Sequence, residues 1–190
     1  MIRHSLELTT TAALALGLIV ILAGPAGAQG APTTPSPADV EGGINVVDRV
    51  TNKGISNVYS GGFYAGASFR LKALISVMAV VSGEYDKREA YTANLYSYSG
   101  GARFDFLATG RVRPFAQVLL GLGQDNGIDA ETPNKTNYYP YLAPGVGTDL
   151  AVHDRLAVRV RVEVPILMRY SDSYTGLRFS AGIAIPIGGK

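Results

Sequence analysis

Leu156-Ala157-Val158-Arg159-Val160-Arg161-Val162-Glu163-Val164-Pro165-Ile166-Leu167-Met168 is the stretch on which the fold turns. Strand side chains alternate faces with period two. Leu156, Val158, Val160, Val162, Val164, Ile166 and Met168 then share one face. Ala157, Arg159, Arg161, Glu163 and Pro165 share the other. A soluble sheet turns its apolar face to a core and its charges to water. This chain repeats the pattern in nearly every segment, carries an export signal and offers no second hydrophobic layer. The apolar face therefore meets lipid and the charges point inward, as in a strand of a transmembrane β-barrel.

Upstream and downstream of this run the same alternation predicts eight strands. They cover Val40 to Asp48, Gly62 to Leu71, Ala73 to Asp86, Tyr96 to Leu107, Arg111 to Gln124, Tyr139 to Leu150, Leu156 to Tyr170 and Gly176 to Ile187. Gly42-Gly43 weakens the first. Most approach the roughly 9–11 residues that a tilted strand needs to cross a bilayer. The connections alternate. Lys72, Ala108-Thr109-Gly110 and Ala151 to Arg155 are short, whereas Arg49 to Gly61, Lys87 to Leu95 and Asp125 to Tyr138 are long and polar, with Ser171 to Thr175 a shorter member of that set. Such asymmetry matches tight periplasmic turns and longer outward loops. An even strand count puts both termini in the periplasm.

Tyrosine gives a second sign. Tyr64, Tyr85, Tyr96, Tyr98, Tyr138, Tyr139, Tyr141 and Tyr170 fall at the long-loop ends of strands, and Tyr59, Tyr91 and Tyr174 in the loops. Phe69, Phe106 and Phe115 lie near the short turns. Aromatic rings favour the headgroup level, so two interfacial girdles are expected.

Carried through every strand, the alternation turns Glu41, Arg70, Glu84, Arg103, Asp105, Arg113, Gln117, Asp149, Arg159, Arg161, Glu163 and Arg178 inward. Phe63, Ala65, Ala67, Phe69, Val77, Val81, Phe104, Val118, Leu120, Leu122, Phe179, Ile183 and Ile185 turn outward. An isolated interior charge is costly. Six arginines against five carboxylates can pair, and the guanidinium fork suits a carboxylate. The expectation is a plugged polar core. The competing reading of these charges is a gated ion path or a ligand site, for which eight strands leave little room.

Ahead of the strands, Arg3 and His4 precede an apolar run, Ala12 to Leu22, too short for a membrane helix of about 20 residues. Pro25 and the small residues Ala26-Gly27-Ala28 complete a signal peptide over residues 1–28, with cleavage after Ala28. An uncleaved inner-membrane anchor is the alternative. No Cys follows, which excludes lipoprotein processing. Residues 29–38, with three prolines, form a flexible or extended linker, and the barrel domain takes residues 39–190.

The chain has no Cys and two His, of which His4 goes with the signal, so disulfides, thiolate sites and His-based metal clusters are excluded. A net charge of +2 without a basic run argues against nucleic acid. Charged residues make up 17%, below the usual quarter of a soluble domain. Gly121-Leu122-Gly123 and Gly145-Val146-Gly147 do not extend into a nucleotide motif; inward glycines making room for large neighbours explain them better. Asn134-Lys135-Thr136 reads as a polar loop rather than a glycosylation acceptor, and Asp125-Asn126-Gly127 as a turn. Asp125, Asp129 and Glu131 lack the spacing of a calcium loop. His153 beside Asp154 lies in a short turn with no Ser placed by it, so no catalytic group and no cofactor are expected.

With strands, turns and girdles placed, the chain resembles the small eight-stranded outer-membrane barrels of Gram-negative bacteria, the OmpA/OmpX-like group. The likeness covers about Val40 to Ile187 and lies in organisation. Gly100-Gly101-Ala102-Arg103-Phe104 through Arg113-Pro114-Phe115-Ala116-Gln117-Val118 looks like the paired central strands of such domains. Ser180-Ala181-Gly182-Ile183-Ala184-Ile185-Pro186-Ile187 is similar to the terminal-strand signal read by the barrel-assembly machinery, though it ends without an aromatic residue. The resemblance implies an all-β, eight-stranded antiparallel up-and-down transmembrane barrel in the outer membrane. Its partners would be outer-membrane lipids and, during biogenesis, the assembly machinery. It implies a structural or surface-interaction role without catalysis; a narrow porin-like solute channel and a lipid-modifying outer-membrane enzyme are the alternatives. Larger relatives carry a peptidoglycan-binding domain after the barrel, a role that does not transfer to a sequence ending at Lys190.

Overall fold

The structure, a computed structural model, describes residues 36–50, 58–88, 91–106, 110–126, 136–153, 155–168 and 174–188. Its elements are β1 (Ala38–Val50), β2 (Val58–Lys72), β3 (Ile75–Arg88), β4 (Tyr91–Asp105), β5 (Val112–Asn126), β6 (Thr136–His153), β7 (Leu156–Glu163), β8 (Ile166–Leu167) and β9 (Tyr174–Ile187). β7 and β8 keep one register against both neighbours, so they are two parts of one strand. The barrel thus has eight strands. Each pairs antiparallel with the next along the chain, and β9 returns to β1 over Ala38↔Ile187 to Val50↔Thr175. Closure leaves no sheet edge unpaired.

The alternation decides which face is which. Phe63, Val77, Val118, Leu120, Phe179 and Ile183 are all exposed on the outside, with Leu120 at 60%. Glu84, Arg103, Asp149, Arg161 and Glu163 are buried, with Glu163 at 0%. This is the reverse of a water-soluble domain, where charges are the groups least often buried.

Several boundaries differ from the sequence reading. β3 and β4 run on to Arg88↔Tyr91, so the long loop expected over Lys87 to Leu95 is mostly ladder. β5 and β6 likewise pair out to Asn126↔Thr136, which places Asp125 and Asn126 in a strand rather than a turn. Polar residues end the apolar belt, but an antiparallel ladder ends only where pairing does. In the other direction, β4 stops at Asp105 and β3 starts at Ile75. The strand expected to run unbroken to Tyr170 is interrupted at Val164-Pro165. Gly110, at φ 116°, supplies the left-handed turn ahead of β5.

At the start of β1, the Ser36 hydroxyl bonds the Ile187 carbonyl at 2.5 Å, and the Arg70 N–H donates to the Pro37 carbonyl at 2.8 Å. The end of the linker is therefore tied across the ends of β2 and β9. Ala26, Ala28 and the rest of the expected signal lie outside the described residues, as does most of the linker.

Candidate functional site: the charged barrel interior

The inward charges are not scattered. Arg159 on β7 forms a fork with Asp149 on β6, Nε to Oδ1 at 2.7 Å and Nη2 to Oδ2 at 2.9 Å. Its Nη1 reaches Glu41 Oε2 at 2.7 Å and Asp39 Oδ1 at 3.2 Å, on β1. Arg103 on β4 joins Asp105 and Asp149, with Nη2 to Asp149 Oδ2 at 2.8 Å. Arg70 continues the chain to Asp105 at 3.3 Å, and Arg113 approaches Asp149 at 4.0 Å.

Toward the long-loop end, Arg161 donates to Glu41 Oε1 at 2.9 Å and lies 3.8 Å from Glu163. Gln117 donates to Glu163 Oε1 at 2.7 Å. Arg178 joins Glu163 at 3.4 Å, the Tyr141 hydroxyl at 2.8 Å and, in a close contact, Glu84. All eleven inward charges named from sequence thus enter one connected network. Asp39 is the addition. It precedes the point where the sequence reading began the first strand, and it brings six carboxylates to face six guanidinium groups.

Rings complete the packing. The Arg103 guanidinium lies 3.8 Å from the Phe115 ring centroid, and that of Arg161 lies 4.0 Å from the Tyr64 centroid. Delocalised guanidinium groups stack on aromatic faces, which lowers the cost of burying them. This corrects part of the expected girdles. Tyr64, Tyr141 and Phe115 are buried in the interior, at 2%, 2% and 1% exposure. Tyr139 also packs inward, against the buried cluster.

The signal for these exceptions was the inward glycines. Phe115 sits opposite Gly147, where a Cβ would stand 2.5 Å from its ring tip. Tyr64 crosses Gly43 and Gly182, and Leu167 covers Gly123. Tyr85, Tyr98 and Tyr138, with Phe69 and Phe106, do face outward and are exposed.

A second interior zone is apolar. Tyr64, Met78, Val80, Leu95, Leu119, Tyr141, Ala143 and Leu167 form one buried cluster, mainly on β3 to β6. The sequence reading, attending to charge, did not single it out. His153 is exposed, its Nδ1 accepting the Arg155 N–H at 3.4 Å; Asp154 lies outside the described residues. Asp125 is buried on β5, while Asp129 and Glu131 lie outside the described residues. Among the described residues no group of three or more His, Cys, Asp or Glu is arranged to hold a metal ion.

No protein-family model matches the sequence, and no curated protein matches it. Solved structures do. Neisserial surface protein A superposes with a TM-score of 0.69 at 15% identity, over 80% of this chain and 98% of that one. Ail, the attachment invasion locus protein of Yersinia pestis, gives 0.57 at 14%, over 80% and 98%. The outer membrane protein OprG of Pseudomonas aeruginosa gives 0.53 at 9%, over 80% and 96%. At such identities the likeness concerns the path of the chain. Closure, strand count and pairing order agree with it: the fold is that of the small eight-stranded outer-membrane β-barrels.

Proposed function

We propose that this chain resides in the outer membrane as a rigid, axially closed barrel with a structural or surface-interaction role. The observation that carries the reading is the way the buried interior charges pair with one another. A conducting pore needs a continuous lumen whose lining groups stay open to passing ions or solutes. Here Arg103, Arg159, Arg161 and Arg178 each hold a carboxylate on a non-adjacent strand, namely Asp149, Glu41, Glu41 and Glu84. The network cross-ties the wall, and its central members are buried, with Glu163 at 0% and Arg161 at 1% exposure. The outer belt of Val118, Leu120, Phe179, Ile183 and Ile185 is the surface such a barrel presents to acyl chains. The structural neighbours include a protein named as a surface protein and another named as an attachment protein, which fits a role at the cell surface.

Reconstitution of the full chain into planar bilayers tests the closed lumen. The expected record shows no reproducible unit currents; discrete, reproducible steps would overturn it in favour of a narrow channel. Fractionation tests location: the chain should stay with outer membranes until detergent is added. Recovery as a water-soluble monomer would overturn the membrane reading.

A further inference from the structure

The short-turn end of the barrel is uneven in charge. Lys72 at the end of β2, Arg111 just ahead of β5 and Arg155 between β6 and β7 are exposed there. Lys72 stands apart, since Arg70 on the same strand is taken up by Asp105 at 3.3 Å and by the Ala73 carbonyl at 2.6 Å. Arg111 and Arg155 belong to one sector. The Ala151 N–H donates to the Arg111 carbonyl at 2.8 Å, which ties the start of β5 to the end of β6 that leads into the turn of Arg155.

Arg113 adds charge to that sector from inside the barrel mouth. It is the ladder partner of Asp149 but reaches that carboxylate only at 4.0 Å. Both oxygens of Asp149 are already held, by the Arg159 fork at 2.7 and 2.9 Å and by Arg103 at 2.8 Å. The Arg113 Nε is buried and makes no hydrogen bond among the described residues. Set against Arg111, Arg113 and Arg155 are this shared carboxylate and Asp154 of the same turn, which lies outside the described residues. The sector thus carries a surplus of positive charge. On its outer side stand Leu150 and Val152, 38% and 65% exposed, the last large apolar side chains of β6. Arg111 and Arg155 therefore sit where acyl chains give way to headgroups.

We propose that this sector, Arg111 and Arg155 on the rim with Arg113 behind them, binds the phosphate of an anionic phospholipid in the leaflet at the short-turn end. The proposal rests on the membrane reading above. A guanidinium fork matches phosphate oxygens in pairs, and two forks on adjoining elements can share one phosphate. A zwitterionic headgroup brings its own ammonium into the surplus, so a headgroup of net negative charge is favoured. Lys72, a single cation, offers no such convergence.

The chain has no Trp, so an introduced one is the sole reporter. Val152→Trp places it beside the sector and Leu71→Trp beside Lys72, both at exposed positions. Each full chain is reconstituted at low ionic strength in phosphatidylcholine vesicles. These hold a minor fraction of one lipid with brominated acyl chains, either phosphatidylglycerol or phosphatidylcholine. Folding is checked by heat-modifiable gel mobility. The ratio of quenching by the two brominated lipids reads the local preference for the anionic one. At the Val152→Trp reporter that preference should reach at least about fivefold, the effect of a single basic side chain near an anionic surface. Arg111→Gln with Arg155→Gln should bring it close to one, whereas Lys72→Gln should leave it unchanged. At the Leu71→Trp reporter it should be weaker. A ratio near one at the Val152→Trp reporter, or equal ratios at both reporters, overturns the site. No quenching by either lipid at either reporter overturns the membrane reading instead. If the double variant does not fold, Arg155→Gln alone should lower the ratio at the Val152→Trp reporter; an unchanged ratio then overturns the proposal.

Discussion

Asp149 and Arg159 are ladder partners across β6 and β7, and their side chains close a fork of two parallel hydrogen bonds, at 2.7 and 2.9 Å, inside the barrel. The same guanidinium holds Glu41 and Asp39 on β1, so a single side chain ties β6 and β7 to β1 across the intervening β9. Removing one member of a buried ion pair is more damaging than the pair is stabilising, because the remaining charge stays desolvated.

Arg159→Met should therefore destabilise the barrel by about 3–5 kcal/mol, with Asp149 and Glu41 left short of a partner. Arg159→Lys keeps the charge but loses the planar fork, and should fall between the wild type and Arg159→Met. Urea unfolding of vesicle-reconstituted protein, read by gel mobility, measures both. Equal stability of all three proteins would mean that the network contributes packing only.

Gly147 and Gly100 make a matched pair for testing interior space. Both lie within strands, yet only Gly147 sits beneath the Phe115 ring. A methyl there meets both the Phe115 ring tip and the Val160 carbonyl at 2.5 Å, so Gly147→Ala should cost at least about 1–3 kcal/mol by overpacking. Gly100 is exposed, and a Cβ there meets only the Met78 carbonyl at 3.6 Å. Gly100→Ala should stay within about 0.5 kcal/mol of wild type. The same unfolding assay separates them, and similar losses at both sites would contradict the assigned faces.

Period-two alternation made the wall legible from sequence, because one face of each strand needed lipid and the other needed partners. Glu41, Arg103 and Glu163 could be placed inside for that reason, without knowing what each would touch. Tyr64, Tyr141 and Phe115 were misplaced because position along the strand was weighed above parity. Their own parity, and the inward glycines opposite Tyr64 and Phe115, pointed inside. The pairing of Arg178 with Glu84 was beyond reach: it joins β9 to β3 across the lumen, and no local pattern encodes such a reach. The break at Val164-Pro165 was visible as a proline, but the resumption of the same register at Ile166 was not.

Tyr138 and Tyr141 stand three positions apart on opposite faces of β6. The Tyr141 hydroxyl accepts a bond from Arg178 at 2.8 Å, whereas Tyr138 is 61% exposed on the outer face. Tyr141→Phe should cost about 1–3 kcal/mol, since a buried charged donor loses an acceptor. Tyr138→Phe should change stability by less than about 0.5 kcal/mol, as an exposed substitution does. The ratio of the two effects, measured in one vesicle preparation, checks the inward assignment of Tyr141; a larger effect at Tyr138 would reverse it.

Val160 and Arg161 are neighbours on β7 with opposite surroundings: Val160 is 40% exposed on the belt, and Arg161 is buried at 1%. Val160→Arg puts a cation against hydrocarbon and should destabilise by about 2–4 kcal/mol near the bilayer midplane, less toward its edges. Arg161→Val removes the donor to Glu41 and the cation over Tyr64, so Glu41 keeps Arg159 alone. That loss should also reach several kcal/mol, of order 3–5, by leaving a buried carboxylate underpaired. The two penalties have different origins, and lipid thickness separates them. Moving the Val160→Arg protein into thinner bilayers brings headgroups and water closer to the introduced cation, so its penalty should shrink. The penalty of Arg161→Val arises inside the wall and should hold across the same series. Equal sensitivity of both proteins to thickness would place both side chains on the same face of β7, which the alternation forbids.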